Sequence, residues 1–331
     1  MSSTIDVLIP GGPNIAAWSP LSNAGGQFSL IDAGDFPAPA ERINELVAES
    51  QGEFVAVITS RDADQLPNVL EQLRDRLSPS GNSGAAMSLR QDDDISRWIW
   101  AEFPAQTAAL IQPLPAEHIV LFRRSTWTRV GPLRDVDEPL WDWLIRAAAF
   151  APDAVIACPS AAPLPAARPA LPALAPAEPG RQRDWLRAHI RNTASAGSPM
   201  LAGLLQLHDY LDESHSVSQS MEGDRLGDHW HGIMHRREPD YSNAKYWYRR
   251  VGRSPVFAEL AQRADAVLAA CQSSVAEAQR QKLGTPHDWD PFAFVDICQQ
   301  QSRSATGDLA AAAREIQFWE MLLLLRSCDA E

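Results

Sequence analysis

The chain of 331 residues is poor in lysine and has no long apolar run. Lys245 and Lys282 are its only lysines, and 42 acidic side chains outnumber 29 basic ones, so the net charge is −13. A surface of this charge repels phosphate, which argues against general binding to nucleic acid or anionic membranes. No segment reaches the ~18 apolar residues of a membrane span. The sequence therefore predicts no nucleic-acid partner and no membrane span.

Cysteine is also scarce. The four cysteines, Cys158, Cys271, Cys298 and Cys328, are scattered and form no CxxC pair, so they do not indicate a disulfide framework. The N-terminus shows no basic leader before an apolar stretch. Both features favour a reducing cytoplasm. The oligomeric state stays open.

The length suggests about two domains, because an ordinary domain has roughly 150 residues. Alanine and proline dominate between Pro152 and Gly180, and such a composition is typical of a semi-rigid spacer. We therefore predict a first domain over 1–150, a linker over 151–182 and a second domain over 183–331.

The first domain alternates short β-rich runs with helical ones, which predicts an α/β fold with a mostly parallel sheet. The predicted strands are Ile5–Ile9, Phe28–Asp32, Phe54–Thr59, Ala85–Leu89 and His118–Phe122, and the predicted helices are Glu41–Ser50 and Gln65–Leu77. In such folds ligands bind at the carboxyl ends of the strands. The turns after Ile9, Asp32 and Thr59 are therefore candidate sites.

The second domain shows only helical patterns, so it is predicted to be all-α. The predicted helices are Arg183–Arg191, Leu201–Ser220, Asp228–Arg237, Tyr241–Arg250, Pro255–Lys282, Pro291–Ser302 and Asp308–Ser327. Ser254 before Pro255 and Asp290 before Pro291 are predicted N-cap residues, each followed by a proline at the predicted first helical position.

Two stretches of the first domain resemble family 2 glycosyltransferases, which have the A-type nucleotide-sugar fold. One is Ala40–Leu77, with ERINELVAESQGEFVAVITSRDAD, and the other is His118–Arg146, with FRRSTWTRVG and a Trp-rich helix. The resemblance implies a shortened domain of that fold, a nucleotide-sugar or sugar ligand, and Mn²⁺ or Mg²⁺ as cofactor.

The same resemblance assigns site residues. Asp62 and Asp64 would hold the metal and diphosphate, Asp32 the nucleotide, and Asp137 or Glu138 would be the catalytic base. The acidic motifs are displaced from the family pattern, since only Asp62 aligns with the aspartate cluster, and this predicts a degenerate domain. The carboxylates could equally be surface groups at helix N-termini, where the helix dipole favours them.

The segment Asp228–Gly252 resembles a helical family of unassigned function with the signature HWHxxxHRREPDxxNAKYWxRRVG. Here His231 and His235 stand at i and i+4, with Glu238 one turn further on. His208, Asp212 and His215 share one face of the preceding predicted helix. If the two helices pack antiparallel, these six side chains could hold zinc, iron or manganese.

A second hypothesis uses the basic residues of the same segment. Met234 to Arg253 contains six Lys or Arg against two acids, which suggests a pocket for a small anionic ligand. Its members would be Arg236, Arg237, Lys245, Arg249 and Arg250, with Asn243, Tyr246 and Trp247 supplying hydrogen bonds and a stacking surface for a sugar ring.

Three functions follow from these observations. The first is a glycosyltransferase-like protein that binds a nucleotide sugar, a sugar or another small anion. The second is a metal-dependent enzyme centred on the histidines of the helical domain. The third is a non-catalytic structural or interaction protein in which the charged residues form a buried network between two helices.

Overall fold

The computed structural model describes residues 4–10, 18–22, 27–34, 38–59, 66–77, 84–90, 93–114, 118–150, 154–160, 171–176, 183–271, 274–283, 289–303 and 307–329. The chain forms two compact units, Met1–Ala170 and Leu171–Glu331. The four cysteines are free thiols. Within the described ranges no helix combines the length and the apolar character that crossing a membrane requires.

A six-stranded sheet forms the centre of the first unit. Its strands are β1 (Ile5–Ile9), β2 (Phe28–Asp32), β3 (Phe54–Ile58), β4 (Ala85–Arg90), β5 (Ile119–Arg123) and β6 (Val155–Ser160), in the order β2-β1-β3-β5-β4-β6. Only β5 runs against its neighbours β3 and β4. The interior strands β1 and β3 are buried at every residue, which explains their continuous apolar sequences. The predicted α/β class with a mostly parallel sheet is confirmed.

Helices connect these strands. They are α1 (Ser19–Ser22), α2 (Ala40–Glu49), α3 (Leu66–Leu77), α4 (Asp94–Glu102), α5 (Ala105–Ile111), α6 (Arg124–Val130) and α7 (Pro139–Ala148). The buried carboxylate of Asp6 on β1 accepts hydrogen bonds from the backbone N–H groups of Gln51 at 2.9 Å and Gly52 at 2.7 Å. A side chain of β1 thereby fixes the turn between α2 and β3.

The structure differs from the prediction within the proline-rich stretch. Val155–Ser160 is not part of a spacer, because it forms the edge strand β6 and pairs in parallel with β4. Pro159 stands opposite Leu89 in this pairing, and an edge strand tolerates a residue without an N–H donor. The two units divide at Ala170, inside the predicted linker range but after this strand.

The second unit is helical throughout its described residues, as predicted. Its helices are α8 (Asp184–Thr193), α9 (Pro199–Leu207), α10 (Leu211–Ser220), α11 (Arg225–Arg237), α12 (Tyr241–Val251), α13 (Phe257–Ala270), α14 (Ser274–Lys282), α15 (Pro291–Gln301) and α16 (Asp308–Asp329). Ser198, Asp224, Asp240 and Asp290 cap α9, α11, α12 and α15 by accepting backbone N–H bonds, which explains where these helices begin.

Two predicted helices are each divided in the structure. The predicted helix Leu201–Ser220 is interrupted at Asp209, whose φ of 65° is left-handed, a conformation that aspartate tolerates better than most residues. His208 therefore lies at the end of α9 and does not continue the face of α10 that carries Asp212 and His215. The predicted helix Pro255–Lys282 likewise forms α13 and α14.

Candidate metal centre

Helices α10 and α11 bring three imidazole rings together. His215 comes from α10, and His231 and His235 come from successive turns of α11. One ring nitrogen from each lies within 4.8 Å of the others. The three residues, here called the histidine cluster, are half of the six predicted metal ligands.

The rings of the cluster are packed against one another and against Trp247 of α12. His231 and His235 stack with centroids 4.8 Å apart, and His231 stacks on Trp247 at 3.8 Å. His231 is 2% exposed and His235 is 7% exposed. Neither ring nitrogen of His231 has a hydrogen-bond partner among the residues that the structure describes. A buried polar atom without a partner is costly, at about 1–3 kcal/mol.

The electrostatics of the cluster keep its two buried rings uncharged. Burial, the largest cause, and the nearby His235, His215 and Arg250 together lower the pKa of His231 to about 3. Burial and His215 lower the pKa of His235 to about 4, against the opposing effect of Asp240. Both rings are therefore neutral at pH 7, which is the form that binds a metal ion.

The other three predicted ligands are not members of the cluster. Glu238 ends α11 and places its carboxylate 3.5 Å from His235 Nδ1. Burial is the largest cause of the raised pKa of Glu238; Asp212 and Asp240 also raise it, whereas His215 lowers it. Asp212 is exposed on α10. His208 is at the C-cap of α9. In the described parts of the chain, no fourth Cys, His, Asp or Glu joins the group.

Asn243 of α12 completes the surroundings of His235. Its amide nitrogen lies 3.1 Å from His235 Nε2 and 3.4 Å from Nδ1. Asn243 is half-buried. The sequence pattern predicted it as a hydrogen-bonding residue of an anion or sugar pocket. The amide nitrogen is a donor, so it orients the ring and fixes its tautomer by donating to an unprotonated ring nitrogen.

The opposite face of α11 carries a fully buried charged network. Arg236 donates to Glu320 Oε2 at 2.6 Å and to the Tyr248 hydroxyl at 2.9 Å. Tyr248 donates to Glu320 Oε1 at 2.8 Å, and His229 Nε2 lies 3.1 Å from the same oxygen. Burial raises the pKa of Glu320, but Arg236 and His229 outweigh it and lower the value to about 2. Arg236 is thus an internal ion-pair partner.

The remaining predicted anion-binding residues do not face one pocket. Arg237 is buried and pairs with Asp209, and its Nε donates to the backbone oxygen of Ala173 at 3.2 Å. Lys245 pairs with Asp296 at 2.6 Å. Arg249 lies over the ring of Phe292.

Arg250 and Tyr246 occupy the exposed side of α12. Arg250 pairs with Asp228 at 3.1 Å and Glu222 at 2.9 Å. Tyr246 is 47% exposed. The positive charge of Asp228–Gly252 is therefore largely matched by acids, most of them outside that segment. Trp247 packs on His231 instead of forming an open stacking surface. Sequence reasoning missed most of those acidic partners, because they lie elsewhere in the chain.

Glu320 was missed although α16 carried a signal for it. The residue is the one acid in the run FWEMLLLL, and a glutamate is almost never fully buried without a partner. A carboxylate surrounded by apolar side chains therefore indicates a buried cation opposite. The sequence contains 27 arginines, obtained as 29 basic residues less two lysines, so the identity of that cation could not be read from the run itself.

In the first unit, the predicted site residues are only partly described. Asp32 is exposed at the carboxyl end of β2, where its carboxylate accepts a hydrogen bond from Gly34 N at 2.8 Å. Asp62 and Asp64 lie outside the described residues. Asp137 is exposed, and Glu138 is half-buried at the N-cap of α7.

Several hydrogen bonds join the loop before Asp137 to α2 and α7. Asn44 of α2 donates to Leu133 O at 3.0 Å and accepts from Leu133 N at 2.8 Å. Trp143 Nε1 donates to Gly131 O at 3.0 Å. Asp142, the next acid along α7, is fully buried in an ion pair with Arg146 at 2.9 Å. Asp142 therefore holds the loop together through Arg146, which itself donates to the backbone of Val130.

The fold and the cluster define a protein with an α/β unit, a helical unit and a three-histidine candidate metal centre in the latter. No family model and no curated protein matches the chain, so the resemblances described above stay predictions. A solved structure that matches is a mannosyltransferase from Pyrobaculum calidifontis in complex with GDP-Man and Mn²⁺. It is 13% identical, with a TM-score of 0.35 over 93% of this chain and 89% of that chain. This likeness is distant.

Proposed function

We propose that the helical unit binds a divalent transition metal through His215, His231 and His235. The observation that carries the proposal is the buried ring of His231, which has no hydrogen-bond partner in the described chain yet lies among two other imidazoles. A metal ion bonded to one ring nitrogen would remove part of the cost of that burial. Neutral rings need no deprotonation before they bind.

The donor set indicates which metals fit. Three imidazole nitrogens suit zinc, copper, nickel and iron, whereas magnesium and calcium prefer oxygen. Among the metals expected from the sequence, zinc binds such nitrogen sites more tightly than iron or manganese. Glu238 and Asn243 would act on the site through His235, as groups that fix its ring.

Metal binding is tested on the full chain after chelation and dialysis. Isothermal titration with Zn²⁺ is expected to show one ion per chain. His231→Phe keeps the stack on Trp247 and removes both nitrogens, so it should weaken zinc at least about tenfold. His189→Ala, which removes a histidine of α8 outside the cluster, is the matched control and should bind as the parent does. A parent that binds no zinc, or a His231→Phe variant that binds it equally well, contradicts the proposal.

The first unit supports a second candidate function, the binding of a nucleotide sugar. The specific observation is the exposed carboxylate of Asp32 at the carboxyl end of β2, the edge of a parallel sheet at which ligands bind. In this proposal Asp32 contacts the nucleotide, Asp62 and Asp64 hold Mn²⁺ or Mg²⁺ with the diphosphate, and Asp137 or Glu138 is the base of any remaining transfer.

Thermal-shift measurements with nucleotide sugars and Mn²⁺ test this second function. A bound ligand at one hundred times its Kd stabilises the folded chain by about 2.7 kcal/mol, which raises the melting temperature. Asp32→Asn should reduce that rise, whereas Asp75→Asn, at an exposed position of α3, should not. The absence of any shift at millimolar ligand would leave the first unit without this function.

A further inference from the structure

The histidine cluster supplies fewer donors than a closed metal site needs. Structural zinc sites are closed by four protein ligands, whereas catalytic zinc sites have three protein ligands and one exchangeable position. Here three ring nitrogens lie within 4.8 Å of one another, and within the described ranges no fourth Cys, His, Asp or Glu joins them. Glu238 lies beside His235 Nδ1 at 3.5 Å, in the place of a group that supports a ligand.

The cluster is also open on one side. His231 and His235 are buried, but His215 is only half-buried, and Asp212, Glu238 and Asp240 beside it are exposed. A metal held by these rings would therefore have its remaining position on the side of α10 and of the turn between α11 and α12.

Carboxylates predominate around this opening. Glu238 lies 3.5 Å from His235 Nδ1, the backbone N–H of Asp240 donates to His235 O at 2.9 Å, and Asp212 stands one turn before His215 on α10. Arg250 is the positive group that acts on His231, and it is already paired with Asp228 and Glu222. The three histidines bring no negative charge to the metal. The side chains at the opening are therefore mainly acidic, whereas a divalent ion bound by the three histidines would be positively charged.

From these features we infer that a metal in the histidine cluster has a water-exchangeable position that accepts small neutral donors, such as neutral carbonyl or imidazole compounds, in preference to anions. The inference rests on the proposed metal binding. Three acidic side chains at the opening repel an approaching anion. They do not repel a neutral donor, which can therefore reach the metal ion. A divalent ion in an open site of this kind polarises a carbonyl oxygen or a bound water.

The open position is tested by water-proton relaxation of the Mn²⁺-loaded full chain. Binding of Mn²⁺ is measured first by its electron paramagnetic resonance signal, and a chain that binds neither Mn²⁺ nor Zn²⁺ contradicts the proposed function itself. With Mn²⁺ bound, exchange of at least one water should raise the relaxation rate several-fold above that of free Mn²⁺. A bound ion without this enhancement contradicts the open position alone.

The preference for neutral donors is tested with the Co²⁺-loaded chain, whose visible spectrum reports the ligands of the ion. Imidazole is expected to change the spectrum at lower concentration than azide. Asp212→Asn removes one charge of the opening without touching the three histidines, and it should tighten azide about threefold while leaving imidazole unchanged. Equal affinities for azide and imidazole in the parent, or no effect of Asp212→Asn on azide, would overturn the preference.

Discussion

The two faces of α11 carry two buried polar clusters that differ in how they are satisfied. On one face Arg236 and His229 share Glu320 and Tyr248 through four contacts of 2.6–3.1 Å. On the other face His231 is buried to the same degree, but neither of its ring nitrogens has a partner in the described structure. In the first cluster the charged groups are paired within the protein, although Arg236 Nε and His229 Nδ1 have no hydrogen-bond partner in the described structure. In the second cluster both nitrogens of one ring lack a partner, and the proposed metal ion would bond to one of them.

The largest loss of stability should come from breaking the buried network around Glu320. Glu320→Ala leaves Arg236 charged and buried without its carboxylate, and removing one partner of a buried pair costs about 3–5 kcal/mol. Urea unfolding of the full chain should show this loss in the free energy of unfolding. If the variant does not fold, Glu320→Gln, which keeps the shape and a hydrogen-bond acceptor, should fold with a smaller loss. A loss below about 1 kcal/mol for Glu320→Ala contradicts the role of the network.

Binding of Zn²⁺ to the histidine cluster should give the next largest change in stability. Zn²⁺ at a free concentration one hundred times its Kd should stabilise the parent by about 2.7 kcal/mol, because the ion binds the folded cluster. Urea unfolding with and without Zn²⁺ measures the gain. His231→Phe should gain much less, and the His189→Ala control should gain as the parent does. Equal gains in the parent and His231→Phe would mean that the ion binds elsewhere.

The same contrast predicts how stability depends on pH without metal. His231 and His235 stay neutral in the folded chain down to a pKa of about 3 and about 4, whereas in the unfolded chain they take up protons below about pH 6.5. The unfolded state therefore binds more protons between these values. Each histidine should reduce the free energy of unfolding by at most about 1.4 kcal/mol per unit as the pH falls from 6.5 towards 4.

Urea unfolding at pH 7.0, 6.0 and 5.0 checks this dependence. Because other groups also titrate, the informative quantity is the difference between the parent and His231→Phe. The variant should lose stability less steeply than the parent as the pH falls. Identical slopes would show that His231 takes up a proton in the folded chain as readily as in the unfolded one.

The smallest effect should come from removing the unsatisfied ring itself. At pH 7 and without metal, His231→Phe exchanges a buried ring with two unpaired nitrogens for an apolar ring of similar size, so the free energy of unfolding should change by less than about 1 kcal/mol. Urea unfolding of the metal-free variant provides the comparison with Glu320→Ala. A loss as large as that of Glu320→Ala would show that His231 has a structural partner.

Local sequence patterns predicted those features that depend on one helix or strand. The spacing of His231 and His235 placed them on one face of α11, and the strand β3 was predicted from its apolar run. His208 was placed wrongly because the turn at Asp209 depends on a tertiary contact, the ion pair with Arg237. The strand β6 was missed because its proline is acceptable only at the edge of a sheet, and the position of a strand in a sheet is not a local property.

The candidate site was predictable only in part for a similar reason. His215 could be proposed from its spacing with Asp212, but whether its face met that of His231 depended on how α10 and α11 pack. The basic residues of Asp228–Gly252 suggested an anion pocket because their partners are distant in sequence. Glu320 stands 84 residues from Arg236, and Asp296 stands 51 residues from Lys245. The folded chain therefore pairs the basic side chains of this segment with acids that the segment's own sequence does not reveal.

The central claim is that three histidines from α10 and α11 bind one metal ion. X-ray absorption at the zinc edge of the Zn²⁺-loaded full chain measures this directly, because imidazole nitrogens bind zinc at about 2.0–2.1 Å and give a characteristic outer-shell signal. We predict three imidazole ligands and one further oxygen or nitrogen donor. In His231→Phe the number of imidazole ligands should fall. A zinc ion bound by thiolates, or by oxygen atoms and no more than one imidazole, would contradict the claim.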